Sequence, residues 1–161
     1  MDRWVLNASP IICLAKAGFT DLLIKLAYEI IVPQSVAEEI NTGPAGDPAE
    51  QIIATGIFPI VDIPSMPEIL AWDLGKGETV VLSHALSNPS WTAIIDDQAA
   101  RKCAKSFSIP IKGTLAVVIL AKKRGLIHSA TDVMRALTVA GLRLDEDLIR
   151  KTLKQTVNEE M

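Results

Sequence analysis

The sequence predicts an α/β fold built on a mostly parallel sheet of about five strands, covered by helices on both faces. Short apolar, β-branched runs alternate along the chain with longer helical patterns. The helical patterns open on capping residues or proline, and several close on glycine. The chain has 161 residues, 49% hydrophobic and 22% charged, which suffices for an unaided core and is too apolar for disorder. This length predicts one domain over residues 1–161, with C-terminal helices within 129–159 packed on it or extending it.

Trp4-Val5-Leu6 reads as the first strand. Ser9 is the expected N-cap of a helix through about Ala17, with Pro10 in its first position and Gly18 as its stop. A second helix covers about Thr20 to Ala27. Glu29-Ile30-Ile31-Val32 is the next strand, and Pro33 opens a helix to about Asn41. The stretch NTGPAGDP, Asn41 to Pro48, is a loop, after which Asp47 caps a short helix ended by Gly56. Phe58 to Ile63 is a strand weakened by Pro59, Pro64 to Pro67 a connector, and Glu68 to Trp72 a helical turn. From about Gly75 a helix carries Glu78, Val81, Leu82 and Ala85 on one face. Trp91 to Ile95 is a strand ending in Asp96-Asp97, and Gln98 to Phe107 is helical. Ile109 to Ile111 is a short strand, and Thr114 is the expected cap of a helix stopped by Gly125. Ser129 with Asp132 makes a capping-box pattern for a further helix ending at Gly141, and Asp145 caps the last one.

Several function classes fall on composition. Two cysteines, Cys13 and Cys103, are too few for a disulfide scaffold and lack metal-ligand spacing, so a buried reduced pair in a cytoplasmic protein is expected. The opening MDRWVLNASPIICLAKAG has no basic region ahead of a sustained apolar run, and the uncharged stretch Thr79 to Ile95 is interrupted by His84, Asn88 and Pro89. Neither a secretory signal nor a membrane span is expected. Aromatic residues make up only 4% of the chain, which disfavours single-strand binding by base stacking.

The net charge of −3 hides an asymmetry. Between Leu26 and Gly75 there is no Lys or Arg, but there are the eight acids Glu29, Glu38, Glu39, Asp47, Glu50, Asp62, Glu68 and Asp73. Between Gln98 and Gly125, Arg101, Lys102, Lys105, Lys112, Lys122, Lys123 and Arg124 face no acid. Two solvated helix faces of opposite sign would account for this, as would an acidic cleft beside a basic rim, which suits a metal ion and a polyanion.

In an open parallel sheet, ligands sit outside the carboxyl ends of the strands. Asn7 and Ser9 follow the first strand, Asp96 and Asp97 the Trp91–Ile95 strand, and Gly113 and Thr114 the Ile109–Ile111 strand. On the helix after Pro33, Val36 and Ile40 define the core stripe; Glu39 lies roughly 80° from its centre and leans over the sheet edge, while Glu38 faces water. Glu78 shares the buried side of its helix, where a carboxylate wants a partner or a metal. Simpler roles compete: Asp97, Ser9 and Thr114 as caps, Asn7 bonded within its own turn, and Glu78 in a first helical turn. Asp96 has no evident structural duty. If Asn7, Glu39, Glu78 and Asp96 converge, they form an all-oxygen site suited to Mg²⁺ or Mn²⁺. The neighbouring Arg101, Lys102, Lys105 and Lys112 would hold a nucleic-acid backbone. His84 lies off the Glu78 face and is expected at the surface; His128 lies in a connector with no evident partner.

Taken together, VLNASPIICLAKAG, VPQSVAEEI, LGKGETVVLSHAL, AIIDDQAARKCAKSFSIPIKGTLAVVILAKKRGLI and ALTVAGLRLDEDLIRKTL resemble the PIN-domain family over about Trp4 to Leu153. The closest likeness is to its uncharacterised prokaryotic branch, related to VapC-type toxin ribonucleases. The resemblance implies a PIN-like three-layer α/β/α fold, four acidic positions around one or two Mg²⁺ or Mn²⁺ ions, and endoribonuclease activity. It also implies a homodimer and a cognate antitoxin partner. Matched by motif, the four positions fall on Asn7, Glu39, Glu78 and Asp96, with Ser9, Asp97 and Thr114 supporting. The departure is Asn7, where PIN nucleases usually carry Asp: an amide can ligate through its carbonyl but adds no negative charge, which lowers metal affinity.

These readings converge on a metal-dependent endoribonuclease whose products carry a 5′-phosphate and a 3′-hydroxyl. The alternative is a PIN-like RNA- or protein-binding module with weak or no catalysis. A nucleotide-binding domain is disfavoured, because GKGET lacks the upstream glycine of a P-loop and no G-x-G-x-x-G follows the first strand.

Overall fold

The computed structural model describes residues 2–161. Its five strands are β1 (Arg3–Leu6), β2 (Glu29–Pro33), β3 (Ile60–Val61), β4 (Trp91–Ile94) and β5 (Ile111–Lys112). They form one sheet in the order β3-β2-β1-β4-β5, and every pairing is parallel. Ten helices complete the described residues: α1 (Ala8–Ala17), α2 (Asp21–Leu26), α3 (Gln34–Asn41), α4 (Pro48–Ala54), α5 (Pro67–Leu70), α6 (Lys76–Ser87), α7 (Gln98–Ser106), α8 (Thr114–Lys123), α9 (Ala130–Val139) and α10 (Glu146–Val157).

A strand covered on both faces must be apolar at successive positions, not alternate ones. Trp4, Val5 and Leu6 in β1 and Ala93, Ile94 and Ile95 at the end of β4 are all fully buried, as that rule requires. Helix α6 packs on β1, β2 and β4, with α5 and α7 beside it. Helix α9 packs on both α1 and α8, with α2 and α10 against α8. The result is a three-layer α/β/α arrangement. Helix α3 touches both α1 and α6, so it reaches the rim where the two helical layers meet.

Register sets up the site. Leu6 stands opposite Ile94 and Ile94 opposite Lys112, and the ladder continues past both pairs. The Asn7 N–H donates to Ile94 O at 3.0 Å, and the Ile95 N–H to Lys112 O at 3.0 Å. Asn7, Asp96 and Gly113-Thr114 therefore leave three adjacent strands at one edge, about 4.8 Å apart from strand to strand.

Several element boundaries differ from the sequence expectation. Helix α1 begins at Ala8, so Asn7 and not Ser9 holds the N-cap position, and Pro10 lies within the first turn. The first N–H groups of a helix have no acceptor within it, so proline is tolerated there. Helix α8 begins at Thr114, and Gly113 is its N-cap. Strands β3 and β5 are shorter than expected because Pro59 and Pro110 have no N–H to add to the ladder. Each proline supplies its carbonyl instead: Pro59 O accepts from Val32 N–H and Pro110 O from Ala93 N–H, both at 2.9 Å.

Candidate active site

Asn7 is buried, and although it occupies the α1 N-cap its side chain makes no capping bond. Its Oδ1 is buried without any hydrogen-bond partner. The expectation that Asn7 bonds within its own turn therefore fails, and a polar atom with full desolvation cost is left facing the strand ends. Asp96 leaves β4 half-buried. Its Oδ1 accepts from the Thr114 N–H at 2.7 Å and its Oδ2 from the Thr114 hydroxyl at 2.6 Å. Asp96 thus does have a structural duty, which the single sequence did not reveal: it ties β4 to the start of α8. Thr114 is fully buried and acts as the clamp on Asp96, not as a cap.

Asp97 is the N-cap of α7, accepting from the Ala100 N–H at 2.9 Å. Glu38 accepts from the Gln34 amide at 3.2 Å on the outer face of α3. Glu39 turns the other way, toward the start of α6. Its carboxyl pKa is raised, first by partial desolvation and then by the charge of Glu78, which places the two carboxylates within electrostatic reach of each other.

Three glycines show how closely these groups gather, because a Cβ on each would press against or touch a site residue. At Gly77 it would lie 3.2 Å from Asn7 Oδ1 and 3.7 Å from Glu39 Oε1. At Gly75 it would lie 2.5 Å from Glu78 Oε2, and at Gly113 2.9 Å from Asp96 Oδ1 and 3.1 Å from an Arg101 guanidinium nitrogen. Bare backbone lets the α6 and α8 starts approach the acids.

Asn7, Ser9, Glu78, Asp96 and Asp97 line one open cavity of about 420 Å³. Glu39 is not among its lining residues; it meets Asn7 across Gly77. Gln98 and residues 141–143 complete the wall. Arg143 was not foreseen from the sequence, since the loop between α9 and α10 lies outside the strand-end rule. Its alternation with Leu142 and Leu144, straight after Gly141, was the available signal.

Beside the cavity, a groove of about 680 Å³ runs along α7, lined by Gln98, Arg101, Lys102, Lys105 and residues 108–111. Arg101 is held in place by donating to Ile95 O at 3.1 Å. Lys112, in β5, is half-buried and outside this lining. The chain matches a family profile described as PIN domain over residues 3–158. It belongs to the PIN-domain family. No curated protein matches it.

The PIN domain is a nuclease-type fold, and PIN domains typically use divalent metal ions. The donors here are oxygen only, and the unbonded Asn7 Oδ1 is the kind of atom a hard cation satisfies. Among the described residues, no group of three or more His, Cys, Asp or Glu side chains could hold a metal ion. Water would complete the shell of a hard cation held by so few carboxylates.

Two other groups are inert. Burial raises the Cys13 thiol pKa, a Ser9 hydrogen bond opposes it and the Asp96 charge adds to it, so the thiol stays protonated. His84, expected at the surface, is half-buried edge-on against Trp91 with ring centroids 4.9 Å apart. Its Nε2 is buried without a partner, and burial lowers its pKa. No helix among the described residues is long and apolar enough to cross a membrane.

Proposed function

We propose that this PIN domain is a metal-dependent endoribonuclease, with Asn7, Glu78 and Asp96 around one cavity and Glu39 bordering it as the groups that hold Mg²⁺ or Mn²⁺. The observation that carries the reading is Asn7 Oδ1: buried and unbonded, on a residue that lines the same cavity as the carboxylates of Glu78, Asp96 and Asp97. A divalent ion bound there would lower the pKa of a water and offset charge developing on a phosphodiester. Thr114 keeps both Asp96 oxygens oriented, so that carboxylate is preorganised for its task. Arg101, Lys102 and Lys105 hold the RNA backbone along α7, with Lys112 at the adjoining strand end. Ser9 and Asp97 support the wall of the cavity, Asp97 chiefly by fixing the start of α7.

The products expected carry a 5′-phosphate and a 3′-hydroxyl. The chain is read as a single PIN-like domain acting in the cytoplasm as a homodimer, and as the toxin of a toxin–antitoxin pair with a cognate protein partner. Support for the toxin role is the family resemblance alone. A PIN-like RNA- or protein-binding module is favoured instead by one observation, the neutral amide at the first acidic position.

The two readings separate on metal dependence. Wild-type protein should cleave single-stranded RNA with Mg²⁺ or Mn²⁺ and stop on chelation, and Asn7→Asp should bind Mg²⁺ about tenfold more tightly by calorimetric titration. Retained RNA affinity without cleavage under any divalent ion would establish the binding module.

A further inference from the structure

Part of the cavity wall is formed by Gly141, Leu142 and Arg143, in the loop joining α9 to α10. That loop is anchored at each side of Arg143. Gly141 adopts φ +112, a left-handed conformation that favours glycine, and its N–H donates to Thr138 O at 3.1 Å. Leu142 is buried, and its N–H donates to Leu137 O at 2.9 Å. Leu144 packs against the core, and Asp145 caps α10 through the Asp147 N–H at 3.0 Å. The exposed Arg143 between these leucines is thus presented outward by a fixed backbone.

Arg143 is the one Lys or Arg among the described residues that lines the acid cavity. Although Glu78, Asp96 and Asp97 line that cavity too, Arg143 forms no ion pair with them, nor any side-chain hydrogen bond among the described residues. A guanidinium left free at the mouth of a carboxylate cavity has its donor fork available for an incoming oxyanion. Gln98 lines both the cavity and the α7 groove, so the basic groove adjoins the cavity that Arg143 lines. The geometry points to Arg143 as a second phosphate anchor. It grips the RNA backbone at the acid cavity itself, in addition to Arg101, Lys102 and Lys105 along the neighbouring groove. This rests on the ribonuclease reading and adds the path of the substrate.

The test is fluorescence anisotropy of a labelled single-stranded RNA oligonucleotide of mixed sequence in EDTA, across a salt series. Wild type is compared with Arg143→Ala, Arg143→Lys and, as a charge control away from the cavity, Lys154→Ala. Arg143→Ala should bind about tenfold more weakly and lose roughly 0.7 from the slope of log K against log salt. Arg143→Lys should restore the slope but only part of the affinity, and Lys154→Ala should match wild type. An Arg143→Ala protein with wild-type affinity and slope overturns the anchor. Wild-type RNA binding without metal-dependent cleavage overturns the nuclease reading alone, with the slope still deciding Arg143. Absence of RNA binding by wild type overturns both.

Discussion

At the residue scale, the site is a set of groups that each resist their surroundings. Asn7 Oδ1 lacks a partner, and Glu39 and Glu78 repel each other. Such tension is what a bound cation would relieve, and it has a measurable cost in metal-free protein. The Glu39 carboxyl holds its proton more tightly in the folded chain than in the unfolded one, where the ordinary value is 4.5. Stability is therefore fullest below that value and falls as pH rises through the raised folded pKa. In EDTA, Glu39→Gln should exceed wild type in Tm at pH 7 by about 1–2 °C, a small gain because the side chain is largely exposed and screened. The gap should close as pH is lowered toward 4.5; a constant gap would show that Glu39 is not under this strain. Helical periodicity was enough to separate Glu39 from Glu38. It could not show that Asp96 already has two bonds to Thr114, because that pairing depends on the register of β4 against β5.

At the element scale, α4, α7, α9 and α10 open on side-chain caps, supplied by Asp47, Asp97, Ser129 and Asp145. Helices α1, α6 and α8 open on Asn7, Gly75 and Gly113 without one. Their positive dipole ends sit beside the carboxylates, and the Thr114 N–H at the start of α8 donates to Asp96, which partly offsets the charge gathered there. Cap rules read from a single sequence placed Ser9 and Thr114 in those positions, since the rules reward local bonds and the site forgoes them. The C-terminal tail supplies another cap that local rules could not find. Glu159 accepts from the Ala130 and Thr131 N–H groups at 2.9 and 2.8 Å and pairs with Lys122 at 3.5 Å. Burial alone would raise its pKa, but these N–H groups and Lys122 hold it at about 2. Its stabilisation is present above 4.5 and is lost as pH falls from there toward 2. Glu159→Gln should lower stability at pH 7 by roughly 1–2 kcal/mol in urea denaturation, and by nothing near pH 2. An equal loss at both pH values would rule out the charge as its source.

At the scale of the whole molecule, sheet order sorts the two charged stretches. The acidic one builds β2, α3, α4, β3 and α5 at one side, and the basic one builds α7, β5 and α8 at the other. The cavity opens between them, where β1 meets β4. Alternating strands and helices made this layout legible in the sequence, because parallel pairing places all the strand ends on one edge. Arg143 escaped because its loop arrives from outside the sheet, through packing that periodicity does not encode. If the basic side carries RNA, Lys102→Ala and Lys105→Ala should each reduce the salt slope of RNA binding by about 0.7, and a slope unchanged in both would remove the groove from the substrate path. The central claim, hydrolysis at the acid cavity, is tested most directly by RNA cleavage rates of Asp96→Asn and Asp97→Asn side by side in Mn²⁺. Asp96→Asn keeps an acceptor for the Thr114 N–H but loses the charge, and it should cut the rate by at least about 100-fold. Asp97→Asn, still able to cap α7, should stay within about fivefold of wild type. Cleavage by Asp96→Asn at the wild-type rate would contradict the account.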